Sequence, residues 1–105
     1  MKIHGLKTCD TCRMARKALP EATFVDLRDT PLSDELLDRA IAAFPDTLVN
    51  RRSTTWRGLD AAERDRPVRE LLRAHPTLMK RPLIEEGTTL HLGWDAGVRS
   101  ALLGD

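Results

Sequence analysis

The sequence predicts an α/β fold: a four-stranded mixed sheet flanked by helices, in the order β-α-β, a helical stretch, then β-β-α. Three observations carry that reading. Strand-like, helix-like and strand-like patterns follow one another within the first 27 residues, the opening of a compact βαβ unit. Apolar residues then recur at helical spacing through the middle of the chain. The last third switches to the short segments of a hairpin before a final helical piece.

Each element has its own signal. Lys2-Ile3-His4-Gly5-Leu6 reads as a short strand that ends at Lys7-Thr8-Cys9. From about Asp10 to Leu19, Met14, Ala15, Ala18 and Leu19 fall at helical spacing, Arg13, Arg16 and Lys17 take other positions, and Pro20 terminates the run. Thr23-Phe24-Val25-Asp26-Leu27 alternates and is rich in β-formers, as a second strand requires. A unit this short pairs its strands in parallel through a right-handed crossover. Ser33 can cap a helix with Asp34 and Glu35 in its first turn and Leu36, Leu37, Ala40, Ile41 and Phe44 as its apolar stripe, stopped by Pro45. Thr30-Pro31 offers an earlier start for the same helix. Asp60-Ala61-Ala62-Glu63 has the spacing of a reciprocal capping box. A further helix from near Pro67 to Ala74 turns Val68, Leu71 and Leu72 inward and Arg66, Arg69 and Arg73 outward. Pro82 to Glu85 and Thr88 to Leu92 read as a hairpin turning at Glu86-Gly87. Asp95 caps a last helix carrying Val98, Ala101 and Leu102, and Gly104 stops it.

Composition narrows the function classes. At 105 residues the chain is most simply one domain, and 41% apolar residues suffice for a modest core without a disulfide framework. Seventeen Lys and Arg against 16 Asp and Glu leave a net charge of +1, which argues against a dominant nucleic-acid surface or a charged tail. No run approaches the roughly 18 consecutive apolar residues of a membrane span. The start reaches Cys9 before any apolar signal core could form, so no signal peptide is expected and the expected compartment is the cytoplasm.

The chemistry centres on Cys9-Asp10-Thr11-Cys12. This C-x-x-C lies where a strand turns into a helix, and unpaired amides at a helix start favour a thiolate over a thiol. Arg13 follows by one helical turn from Cys9 and can lie over the same sulfur. Burial of one or both cysteines as core residues is the competing reading. Zinc has little support, because there is no second C-x-x-C and His4, His75 and His91 are far apart. Asn50-Arg51-Arg52-Ser53-Thr54-Thr55-Trp56-Arg57 and Lys80-Arg81-Pro82 are cationic and rich in donors. Arg57 and Arg81 would make an oxyanion or carboxylate pocket if they approach Cys9, and a solvated face if they do not. Trp56 and Trp94 are core candidates.

Three stretches resemble the ArsC-like family, the group of glutaredoxin-coupled arsenate reductases and Spx regulators. They are Gly5 to Arg16 with its C-x-x-C, Leu48 to Leu59 around Asn50-Arg51-Arg52-Ser53-Thr54, and Met79-Lys80-Arg81-Pro82-Leu83-Ile84. The second and third look most like an Spx/ArsC-like reductase subgroup. The resemblance implies one thioredoxin-like domain over 1–105, with a mostly helical insertion between strands 2 and 3 at about residues 29–78. It implies Cys9 as the nucleophilic thiolate, Cys12 and Arg13 in the catalytic turn, Arg57 and Arg81 at an anion-binding site, and Pro82 as the fold's cis proline. It also implies no bound cofactor or metal, glutathione as co-substrate, and glutathione or a glutaredoxin/thioredoxin system as partner. A departure bears on substrate. Arsenate reductases carry a further arginine near the end of the hairpin, whereas no Arg or Lys stands between Pro82 and Val98 here. Losing one charge-assisted clamp costs an oxyanion several kcal/mol, roughly, so direct arsenate reduction is disfavoured.

The leading expectation is therefore a thiol-dependent oxidoreductase acting on a disulfide, a glutathione mixed disulfide or a small oxidised anion, with a small-molecule or protein thiol as substrate and no membrane or direct nucleic-acid partner. The alternative is an Spx-like redox-sensing regulator binding the RNA polymerase α subunit, resting on Cys12. A thioredoxin-fold protein whose thiolate has lost its catalytic use is a third reading.

Overall fold

The structure is a computed structural model, which describes residues 1–104. In chain order its elements are β1 (Lys2–Gly5), α1 (Asp10–Ala18), β2 (Thr23–Asp26), α2 (Asp34–Ala43), α3 (Thr54–Arg57), α4 (Ala61–Arg64), α5 (Val68–Ala74), a single 3-10 turn (Pro76–Leu78), β3 (Leu83–Glu86), β4 (Thr89–Leu92) and α6 (Ala96–Leu103). The chain divides into two compact units: Met1–Pro31 together with the residues from Arg81 onward, and Leu32–Lys80. The inserted unit thus begins and ends two or three residues later than the expected 29–78.

The first unit holds the sheet, in the order β2-β1-β3-β4. β1 runs parallel to β2 and antiparallel to β3, and β3 pairs antiparallel with β4. This is a thioredoxin-like α/β fold with a four-stranded mixed sheet and a helical insertion between strands 2 and 3. Ile3 and Ile84 face each other across the β1–β3 ladder. They form a buried cluster with Ala15 of α1 and Trp94, against which Leu19, Phe24, Val98 and Leu102 pack. α1 and α6 therefore cover the same face of the sheet. The hairpin turns at Gly87 and Thr88, one residue later than the spacing suggested, because Glu86 still pairs with Thr89. Gly87 supplies the positive φ of 59° that such a turn demands. Asp95 caps α6 by accepting from Val98 N–H at 2.9 Å, and Gly104 ends it in the left-handed conformation.

In α1 the inward stripe is displaced from the one read in the sequence. Cys12 and Ala15 are buried, whereas Met14 is 55% exposed and Ala18 is exposed. Cys12, Ala15 and Leu19 are spaced by three and four residues, so the cysteine takes the place on the inner face that the count had given to Met14.

In the second unit, Ser33 caps α2 through Leu36 N–H at 3.1 Å, which decides against the Thr30-Pro31 start. Asp60 caps α4 by accepting from Glu63 N–H at 2.8 Å, while the Glu63 carboxylate turns to Arg66 and His75 instead of reaching back. α3 was not evident in the sequence. Ser53 caps it through Trp56 N–H, and one turn is too short to show a period. α2 packs on α5, and Val49 and Met79 form an isolated antiparallel bridge. Trp56 is half-buried between the guanidinium groups of Arg51 and Arg64, at 5.5 and 5.3 Å from its ring.

Candidate active site

β1 ends at Gly5, and the chain turns through Leu6 to Cys9 before entering α1. Cys9 N–H donates to Leu6 O at 3.1 Å, and Arg13 N–H donates to Cys9 O at 3.0 Å. Cys9 is therefore the N-cap, in extended conformation at φ −86° and ψ 122°. A serine or aspartate at this position would accept a short capping bond. The Cys9 sulfur closes none of that geometry, and the first-turn amides act on it electrostatically.

Both cysteines are free thiols, Cys9 partly exposed and Cys12 buried. Partial burial by itself pushes the Cys9 thiol up. It is outweighed by the Cys12 N–H, the Cys12 thiol, and the hydrogen bond and charge of Arg81, so Cys9 ends below its ordinary value of 9.0. Cys12 moves the other way. Burial pushes it up, a hydrogen bond from the Leu6 backbone opposes this, and the adjoining Cys9 sulfur adds to the rise, leaving Cys12 pushed up to about 12. Two thiols three residues apart thus hold different roles. Cys12 therefore keeps its proton near neutral pH, and Cys9 is the thiol of the pair that ionises first.

Gly5 makes that separation possible, and its part was not read from the sequence. A Cβ added at Gly5 would stand 2.5 Å from Cys12 Sγ and 3.3 Å from Cys12 Cβ, so only glycine lets the thiol rest on β1. An isolated glycine inside a strand-like run, facing a C-x-x-C across the turn, is the signal that would have found it. A second missed pair is His4 and Glu85, whose Nε2 and Oε2 lie 2.7 Å apart on neighbouring strands, with His4 6% exposed.

The other expected site residues distribute as follows. Arg81 sits beside the sulfurs. The Arg81–Pro82 bond is cis, in line with the family expectation for Pro82. Pro82 is fully buried, and its carbonyl accepts from Gly93 N–H at 2.8 Å, which ties the start of β3 to the end of β4. Arg13 departs from the expectation that it covers Cys9. Its side chain is 60% exposed, its Nε donates to Lys7 O at 3.0 Å, and its Nη1 meets Asp10 Oδ1 at 3.3 Å. A carbonyl and a carboxylate nearer the helix start take up the guanidinium, so Arg13 staples the Lys7 to Cys9 turn. Arg57 is exposed at the end of α3 in the Leu32–Lys80 unit, and its carbonyl accepts from Arg64 at 3.3 Å. Among the described residues no cluster of three or more His, Cys, Asp or Glu side chains is arranged to hold a metal ion.

The sequence profile of the ArsC family matches residues 4–100. The chain belongs to the ArsC family. An uncharacterised Haemophilus influenzae protein is 38% identical over 98 residues, covering 84% of this chain and 86% of its own length. Among solved structures, the YffB protein superposes with a TM-score of 0.84 at 32% identity, covering 95% of this chain and 96% of its own. An arsenate reductase (ArsC) related protein from Brucella melitensis gives 0.72 at 34% identity over 97% and 92% of the two chains. An ArsC-family related protein from Bacteroides fragilis, at 20% identity and a TM-score of 0.70, covers 96% of this chain and 95% of its own and shares the fold. Within this ArsC-family chain, no helix among the described residues is long and apolar enough to cross a membrane.

Proposed function

We propose that the protein is a thiol-dependent reductase of the Spx/ArsC-like subgroup, with Cys9 as its nucleophile and a disulfide or glutathione mixed disulfide as its substrate. The observation that carries the reading is the opposed shift of the two thiols, Cys9 held down by the Cys12 N–H, the Cys12 thiol and Arg81, and Cys12 raised by burial. The Cys9 thiolate attacks one sulfur of the substrate R–S–S–R′. A Cys9–S–S–R bond forms, R′–S⁻ leaves with the electron pair, and a solvent proton neutralises it. A glutathione thiolate then attacks the R sulfur of the mixed disulfide: a glutathione–S–S–R bond forms (oxidised glutathione when R is itself glutathione), the Cys9–S bond breaks, and Cys9 leaves as thiolate. Cys12 is reserved as the buried S–H that stabilises Cys9, since attack by its own sulfur first requires losing a proton held to about pH 12. Arg81 stabilises the anionic sulfur, and Arg13 acts as a positioning residue for the turn. Arg57 is assigned to anion binding on the family motif alone.

The lack of any Arg or Lys between Pro82 and Val98 favours disulfide substrates over arsenate, because a disulfide brings no oxyanion that needs a further clamp. The test is mass spectrometry after exposure to oxidised glutathione, with Cys9→Ser and Cys12→Ser alongside the wild type. A glutathione adduct that forms on wild type and Cys12→Ser, but not on Cys9→Ser, is the expected result. An unmodified wild type, or an adduct placed on Cys12, overturns the reading.

A further inference from the structure

We infer that a trough beside α1, along the sheet edge formed by β2, docks an extended acidic peptide segment of a partner protein. The trough has a volume of about 430 Å³, and its walls include Arg13, Arg16, Lys17, Leu19, Pro20 and Phe24. Arg13, Arg16 and Lys17 stand at i, i+3 and i+4, on one stripe of the helix. The Arg16 guanidinium lies 4.2 Å from the centroid of the Phe24 ring, so its charge is held over an aromatic wall. Among the described residues no carboxylate pairs with Arg16 or Lys17, and Arg13, which also donates to Lys7 O, meets the exposed Asp10 carboxylate. Cations in the last turn complement the helix dipole. That accounts for charge at the end of α1 but not for a trough lined by three cations and an aromatic ring.

The strand edge decides between an extended chain and a compact anion. β2 is one of the two outer strands of the sheet. Thr23 N–H donates to Met1 O and Leu27 N–H to Gly5 O, both at 2.9 Å. In a parallel ladder the alternate residues, Phe24 and Asp26, then turn their N–H and C=O groups away from β1. Asp26 O already accepts from Asp29 and Thr30 N–H. The N–H and C=O of Phe24 are thus the pair an incoming strand takes. The Phe24 side chain points to the α1 face, where it packs on the Ile3 and Ala15 cluster. A partner residue opposite Phe24 points to that same face, as do those two positions away, toward Arg16 and Lys17. Acidic residues at alternate positions therefore satisfy the cations while the backbone extends the sheet. The trough ends at Arg13, one helical turn from Cys9, so a docked segment lies next to the thiol turn.

The experiment titrates a fluorescein-labelled peptide of alternating glutamate and threonine with the full chain, followed by anisotropy at about 20 mM salt. Saturable binding is expected, weakening as salt rises. The double variant Arg16→Ala/Lys17→Ala loses about tenfold in affinity, two exposed ion pairs' worth. It keeps the alkylation rate of Cys9, which shows it is folded. Arg99→Ala, an exposed cation on α6, leaves binding unchanged. N-methylation of the peptide at alternate residues abolishes binding, and a lysine–threonine peptide does not bind. The inference is overturned by an absence of saturable binding, or by equal loss in Arg99→Ala. It is also overturned if the N-methylated peptide binds as well and citrate displaces it, since the trough then takes small polycarboxylates.

Discussion

Within the Leu32–Lys80 unit, the guanidinium groups of Arg66, Arg69 and Arg73 end on oxygens of the same unit. Arg69 meets Asp34 and Asp38 at 3.1 and 3.0 Å, Arg73 meets Asp34 at 2.7 Å and Leu32 O at 2.6 Å, and Arg66 meets Glu63 at 3.0 Å. At the β1–α1 turn, Arg81 acts on a sulfur that becomes charged only when it loses a proton. The first arrangement neutralises charges that exist at every pH above the acid range, so it reads out as modest stability. The second changes where a proton leaves, so it reads out as reactivity.

The sharpest way to break that contrast is at the thiol turn. Cys9→Ser reduces alkylation by monobromobimane and turnover of glutathione mixed disulfides to background. Arg81→Met removes a hydrogen bond and a positive charge from the Cys9 sulfur and raises its pKa, slowing alkylation at pH 7 by roughly tenfold for each unit of rise. Arg69→Met, in the ion-pair network of the other unit, leaves the alkylation profile where it was. An unchanged pH profile in Arg81→Met would show that the Cys12 N–H and thiol set the Cys9 thiolate without Arg81.

Gly5 gives the next largest effect. Gly5→Val forces a methyl-bearing Cβ into the space of Cys12 Sγ, and overpacking of this kind costs about 1–3 kcal/mol. The displaced thiol also stops donating to Cys9, so the Cys9 pKa rises together with the loss of stability. Cys12→Ala removes the sulfur that clashes. The double variant Gly5→Val/Cys12→Ala therefore recovers stability but not the lowered Cys9 pKa. Chemical denaturation and alkylation profiles of the two singles and the double separate the packing from the electrostatic part. Equal behaviour of both readouts across the cycle would contradict the division of labour between the two thiols.

What could be read from the sequence follows the same physical line. The sequence of elements along the chain, the hairpin and the Ser33, Asp60 and Asp95 caps are local consequences of short-range patterns, and they appear in the structure with small shifts or none. Cys9 at a helix start is legible because the strand pattern ends at Lys7-Thr8-Cys9 and helical spacing begins near Asp10. The direction of a long side chain is not. Spacing puts Arg13 over the sulfur and leaves Arg81 a conditional companion, yet the Lys7 carbonyl and Asp10 carboxylate divert Arg13 and Arg81 is the one that acts on Cys9. The inner face of α1 was misread because Met14 counts as apolar and Cys12 was weighed as chemistry, although Cys12 is both. Gly5 was invisible to periodicity, since its role is the absence of a side chain opposite a sulfur from the next element.

A smaller effect separates the two cysteines by pH. The folded-state pKa of Cys12, about 12, lies above its ordinary value of 9.0, so the fold favours the protonated thiol. That stabilisation is complete below about pH 9 and is lost as pH rises toward 12, at no more than about 1.4 kcal/mol for each pH unit. Cys9, lowered, has the opposite sign: its thiolate favours the fold above pH 9. Denaturant midpoints of the wild type and Cys12→Ala, compared at pH 8 and about pH 10.5, report what the Cys12 thiol contributes, its own titration together with its hold on Cys9, because lysine titration is common to both. Parallel losses in the two proteins would mean that Cys12 ionises without cost in the folded state.

The weakest lever is the ion-pair network of the inserted unit. Asp34 is held below its ordinary value of 3.8, first by the hydrogen bond from Arg73 and then by the charge of Arg69. Its contribution is therefore present above pH 3.8 and is lost as pH falls through the lowered value in the folded state. The carboxylate is fully exposed, so water and salt screen it, and its worth is confined to a small shift in melting temperature. Asp34→Asn should melt slightly below the wild type at pH 6 in low salt. The gap should close at about pH 2 and in high salt, where the charge is neutralised or screened, while Cys9 alkylation stays unchanged throughout. A gap that persists under both conditions would mean that Asp34 holds the start of α2 by shape and hydrogen bonding, and the inserted unit would then no longer be the purely charge-neutralising counterpart of the thiol turn.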